Sequence, residues 1–207
     1  MKNERRIGGF RIELTHEWSL HELYEYSHVF NQVYSLVDYL ERLRRGQTQP
    51  DSWEIDGDIL LLGSFPWKGG YSAVNFYNRL RSRVPKSATP RILRIEYHSP
   101  GFLELALCVP SALAISAMVA AFLKNGSQLI SLVRNWYKTL NEMELMRIEA
   151  KRKRLELAKE QIDFLRNSCR DLETLLRIPN AKLIDDLAPN DLAKLKLELS
   201  IYRRVKS

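Results

Sequence analysis

The run Arg91-Ile92-Leu93-Arg94-Ile95-Glu96-Tyr97-His98-Ser99-Pro100-Gly101-Phe102-Leu103-Glu104-Leu105-Ala106-Leu107-Cys108 decides the fold class. Two short apolar segments flank Ser99-Pro100-Gly101. Proline presets one turn residue, and glycine accepts the unusual φ that a tight turn needs. The reading is a hairpin of strands over 91–98 and 102–107. Leu93, Ile95 and Tyr97 share one face of the first strand; Leu103, Leu105 and Leu107 share one face of the second. Two strands alone are marginal in water. Phe10-Arg11-Ile12-Glu13-Leu14-Thr15 supplies a third, because its strict alternation is that of a half-buried antiparallel strand.

Helical patterns lie between these strands. Ser19 and Glu22 have capping-box spacing, in which hydroxyl and carboxylate each satisfy a free backbone N–H. Leu23, Phe30, Val33, Tyr34, Val37 and Leu40 follow at helical spacing, so a helix is expected over 20–44, with Gly46 as its stop. Residues 47–58 read as loop. Ile59-Leu60-Leu61-Leu62 fits a buried strand or a helical turn, which periodicity does not separate. After Pro66 and Gly69-Gly70, Ser72 is expected to cap a short helix reaching Val84, with Val74, Tyr77, Leu80 and Val84 inward and Pro85 ending it.

Beyond Pro110 the chain reads as helix throughout. One apolar helix is expected to end at Asn125-Gly126, and a long helix to occupy about 127–177. Ile178-Pro179-Asn180 breaks it, and two short helices follow, split by Pro189-Asn190. The expected class is α+β: a small antiparallel sheet in the order β-α-α-β-β, then a long helix and C-terminal helices, mostly α by content. The expected division is an N-terminal α+β domain over 1–109 and a helical module over 110–207.

The long helix carries a seam. Ile148, Leu155, Ile162, Cys169 and Leu176 fall at one heptad position; Lys151, Ala158, Leu165 and Leu172 fall at the other. All but Lys151 are apolar or Cys, which meets the coiled-coil pattern. The expected oligomer interface is therefore Ile148, Leu155, Ile162, Leu165, Leu172 and Leu176. The alternative is a fold-back within one chain onto Leu192, Leu195 and Leu199. Either way the stripe needs a partner, because an isolated helix is marginal in water.

Residues 105–123 contain no charge. By length they form a transmembrane candidate. The strand pattern at their start and Pro110 shorten the helical part, which favours a buried central helix over membrane insertion. Ala112, Ser116 and Ala120 would permit close packing in either setting.

The net charge is +7 and the pI near 9.4. Residues 65–95 hold seven basic side chains and no acid. Within them Trp67, Lys68, Tyr71, Arg79, Arg81 and Arg83 interleave aromatic and basic groups, the combination that stacks on bases while holding phosphates. This segment is the candidate surface for nucleic acid or a phosphate ligand. A helix would spread Arg79, Arg81 and Arg83 over about 200°, so all three cannot face one partner.

Catalytic signatures are missing from the sequence. It has no Walker loop, G-x-G-x-x-G, G-x-S-x-G or H-E-x-x-H. Four histidines and two cysteines lack metal-ligand spacing, and two cysteines cannot build a disulfide framework. The start, Met1-Lys2-Asn3-Glu4-Arg5-Arg6-Ile7, lacks a secretory h-region. These features lead to the expectation of a non-enzymatic, cytoplasmic interaction or scaffolding protein that needs no cofactor or metal and self-associates through its helical half. Nucleic-acid binding through 65–94 is the first alternative. Membrane association through 105–123 is the second.

Overall fold

A computed structural model describes residues 7–14, 18–46, 71–96, 101–153, 159–188 and 190–206. Among them are three strands, β1 (Ile7–Leu14), β2 (Arg91–Glu96) and β3 (Gly101–Cys108). The same described residues hold six helices: α1 (Leu20–Arg44), α2 (Tyr71–Arg83), α3 (Val109–Lys153), α4 (Lys159–Leu176), α5 (Ala181–Leu187) and α6 (Asp191–Lys206). The α+β class, mostly α, holds.

β3 is the central strand, in the order β1-β3-β2, and both pairings are antiparallel. The alternation of β1 places Phe10 opposite Leu105 and Ile12 opposite Leu103. That inner face joins the core through Leu103, Leu105 and Leu107. β1 begins earlier than expected because 7–9 continue the ladder. A Cβ at Gly8 would lie 2.9 Å from Val109 Cγ2, so any larger residue there would force the Val109 side chain to shift. On the outer face Arg11 stacks 3.7 Å from the centroid of the buried Phe102 ring, with Arg94 5.5 Å away.

β2 departs from the simple alternation. A bulge between Ile92 and Arg94 inserts Leu93, so Ile92 and Ile95, opposite Leu105 and Leu103, share the inner face. The expected pairing of Leu93 with Ile95 on one face is thereby corrected. Tyr97 and the turn Ser99-Pro100 lie outside the described residues, as do Thr15 and the whole of 47–70.

α1 is built as its sequence dictates. The Glu22 N–H donates to Ser19 Oγ at 3.2 Å, and the Ser19 N–H donates to Glu22 Oε2 at 2.8 Å. Gly46 adopts φ +63°, the left-handed stop. The buried face carries Phe30, Val33, Tyr34, Val37 and Leu40. The Tyr34 hydroxyl donates to Ala88 O at 2.7 Å and accepts from the Cys108 N–H at 3.4 Å, tying α1 to β3 and to the segment after α2. A Tyr34→Phe variant is expected to lose about 1 kcal/mol or more in urea unfolding, since it leaves buried backbone groups unpaired. Unchanged stability would show that these bonds contribute nothing net. Tyr77 and Leu80 on α2 and Val84 just after it are buried as expected; α2 already includes position 72, and the side chains of Ser72 and Val74 lie outside the described residues.

Two helical boundaries need correction. α3 runs through Asn125-Gly126 without a break. A helical glycine costs about 1 kcal/mol relative to alanine. Burial of Leu129, Val133, Trp136 and Leu140 beyond it outweighs that cost. The single helix over 127–177 is in fact two. A straight helix would set Asn125 and Leu175 about 75 Å apart. Instead Asn125 Nδ2 donates to Leu175 O at 2.8 Å, so the chain reverses and α4 packs back on α3.

α4 also packs along α6. The ten consecutive residues Ala193–Tyr202 of α6 are buried, including Leu195, Leu197, Leu199 and Ile201. A continuous cluster joins Leu14, Tyr34 and Leu105 to Met118, Leu172 and Leu199. Tyr77 Oη and Ser200 Oγ bond at 2.9 Å, linking α2 to α6. Arg204 on α6 lies 3.8 Å over the Tyr77 ring and donates to Gln32 Oε1 on α1.

Candidate interaction surface

The seam residues divide by position. Leu165, Leu172 and Leu176 are buried inside the chain, where α4 meets α6 and α3, and Ile162 is half-buried. Leu195 and Leu199 are buried and Leu192 partly so. The fold-back arrangement thus accounts for the burial of this part of the stripe. Ile148 lies in α3, and Leu155 is outside the described residues.

The basic aromatic segment is only partly described. Trp67 and Lys68 fall outside the described residues. Tyr71 begins α2; Arg79 and Arg81 are exposed and Arg83 half-exposed. The structure does not gather these six residues into one described site.

A different surface emerges on α3. Its inner side presents Ala112, Ile115 and Met118 to the core. At 3.6 residues per turn, Leu113, Ser116, Ala117, Ala120 and Leu123 fall within an arc of about 120° that begins beside Ala112 and turns away from the core. Leu113 is 66% exposed and Leu123 78%. Ser116 turns its hydroxyl back to Ala112 O at 2.9 Å, which removes its donor from the surface. About three turns of helix therefore show water an uncharged, small-and-large apolar face. Beyond it the same side becomes polar, with Lys124, Arg134 and Lys138 exposed. Val109–Leu140 is long and apolar enough to cross a membrane by length and composition. The sequence reveals this stretch through its missing charges, but not which third of the helix stays uncovered.

A polar cluster that sequence reasoning missed sits between α4, α5 and α6. Lys194 pairs with Glu173 on α4 and Asp185 on α5, and its Nζ is 3.8 Å from Glu198 Oε1. Glu198 is fully buried and neither of its oxygens accepts a hydrogen bond. Burial, then the neighbouring Glu173 carboxylate, pushes its pKa up to about 9 against the pull of Lys194. Burial also pushes the Cys169 thiol up, with Glu198 adding to the effect. A buried, protonated thiol is a poor nucleophile. Among the described residues no group of three or more His, Cys, Asp or Glu is placed to hold a metal ion. The only signal in the sequence is Lys194 and Glu198 four apart in a leucine-rich helix, a spacing that also describes an exposed ion pair.

No protein-family model, curated protein or solved structure matches this chain.

Proposed function

We propose that this is a non-enzymatic interaction protein that self-associates through its helical C-terminal half, using the outer face of α3. The observation that carries the reading is the uncharged arc from Leu113 to Leu123. Contiguous apolar surface of this kind costs solubility and marks sites that another surface covers. The buried positions of the heptad stripe are less suited to the task, because Leu165, Leu172 and Leu176 already have partners within the chain.

The test is light scattering on a gel-filtration column without detergent. A discrete oligomer is expected. Leu113→Asp with Leu123→Asp should lower its mass with unchanged helicity, since neither side chain is in the core. A mass indifferent to both changes would end this reading.

A second reading rests on the change along the same face from apolar residues to Lys124, Arg134 and Lys138. An apolar stretch beside basic groups suits an anionic bilayer surface. Flotation with anionic vesicles, lost in the same double variant, would favour it over self-association. Nucleic-acid binding is separated by a salt titration, because phosphate contacts by Arg79 and Arg81 must produce a salt slope.

A further inference from the structure

β2 is an edge strand: β3 pairs with one side of it, and among the described residues no strand pairs with the other. It is also the most exposed apolar part of the sheet. Ile92, Leu93 and Ile95 are 52%, 57% and 42% exposed. An open edge carrying apolar side chains is a template for another strand.

The sequence of β2 identifies which strand fits. Read against a second copy of itself in antiparallel sense, Arg-Ile-Leu-Arg-Ile-Glu is self-complementary. A two-fold axis between Leu93 and Arg94 sets Arg91 opposite Glu96, Ile92 opposite Ile95, and Leu93 opposite Arg94. Each pair occurs twice. Opposite charges and branched apolar residues are favourable cross-strand partners.

Such a register is forbidden to a regular strand. Side chains alternate with period two, so positions five apart point to opposite faces, whereas antiparallel partners must share a face. The bulge removes the conflict. With Leu93 inserted, Arg91, Arg94 and Glu96 lie opposite Ala106, Glu104 and Phe102, all on the outer face. Ile92 and Ile95 lie opposite Leu105 and Leu103 on the inner face. A bulge and basic residues ordinarily protect an edge from pairing. Here the bulge brings complementary residues into register. Arg94 already pairs with Glu96 in its own strand, so Glu96 would sit between that guanidinium and Arg91 of the second copy.

We infer that the β2 edge binds the β2 edge of a second copy, forming a continuous six-stranded sheet across a two-fold axis. This surface is separate from the α3 face, and the inference stands independently of that reading.

The experiment is a charge swap on the full chain, read by sedimentation and circular dichroism. Arg91→Glu and Glu96→Arg each place like charges opposite one another, twice per interface. Each is expected to raise the dissociation constant of the pair at least tenfold, with unchanged helicity. The double variant Arg91→Glu/Glu96→Arg restores opposite charges and is expected to recover the wild-type mass, a rescue that misfolding cannot imitate. A monomeric wild type overturns the inference, as does a mass that Arg91→Glu leaves unchanged or a swap that fails to rescue. Loss of assembly in Leu113→Asp/Leu123→Asp but not in Arg91→Glu would overturn the sheet-edge pairing while leaving the α3 reading in place.

Discussion

A Glu198→Gln variant is expected to be more stable than the natural chain at pH 7, by about 3 kcal/mol. The folded chain keeps the Glu198 proton up to about pH 9, whereas an ordinary glutamate releases it near 4.5. Between those values the folded state binds the extra proton, so stability falls as pH rises. The contribution is fully present below pH 4.5 and is lost progressively up to about pH 9. The physical cause is burial without donors: Lys194 Nζ stands 3.8 Å from Glu198 Oε1, beyond hydrogen-bond reach, and is committed to Glu173 and Asp185. Glutamine keeps the shape, carries no charge and offers an N–H to the Glu173 carboxylate. Urea midpoints measured from pH 5 to pH 9 check this. The natural chain should weaken steadily across that range and the variant should lose most of that slope. Parallel curves would mean that Glu198 is ionised when folded and held by Lys194.

The same residues show why the cluster was hard to read from sequence. In Leu195-Lys196-Leu197-Glu198-Leu199 apolar and charged residues alternate. A period of two points to a strand, yet these residue types favour helix. Wound as α6, alternate leucines project in several directions, so they are covered only if the helix is buried nearly all round. Lys194, Lys196 and Glu198 are carried inside with them. No local pattern announces this, because it depends on how α1, α3 and α4 surround the helix.

Features set by neighbouring residues were legible. The Ser19–Glu22 box and Gly46 bound α1 where their chemistry requires. Alternation in β1 and β3 fixes their inner faces and pairing. Features set by distant contacts were not. Gly126 carries a stop signal that the packing of α3 overrides. The bulge at Leu93 is marked by neither glycine nor proline. The heptad stripe correctly identifies Leu165, Leu172 and Leu176 as apolar-facing positions, but a repeat cannot specify whether its partner belongs to the same chain.

Leu165→Asp decides that last point and should have the largest effect of any single change here. Leu165 is buried on α4 one turn before Cys169, with Leu172 and Leu176 continuing the stripe toward α6. A carboxylate placed there loses its water, and Lys194 is already engaged by two carboxylates. Arg166 is turned to Asp191 at 3.1 Å. With both of these cations already engaged the cost is about 4 kcal/mol or more, enough to separate α4 from α6. Expected results are a drop in far-UV helicity, a lower urea midpoint and exposure of the α6 leucines. The milder Leu172→Ala should cost about 3 kcal/mol through the cavity it leaves, and should keep the helices assembled. Mass measured on the same samples separates the two origins of the seam. An interface between copies would let Leu165→Asp dissociate chains that stay helical. A seam closed within one chain cannot be opened without melting it, so helicity must fall before, or together with, any change in mass.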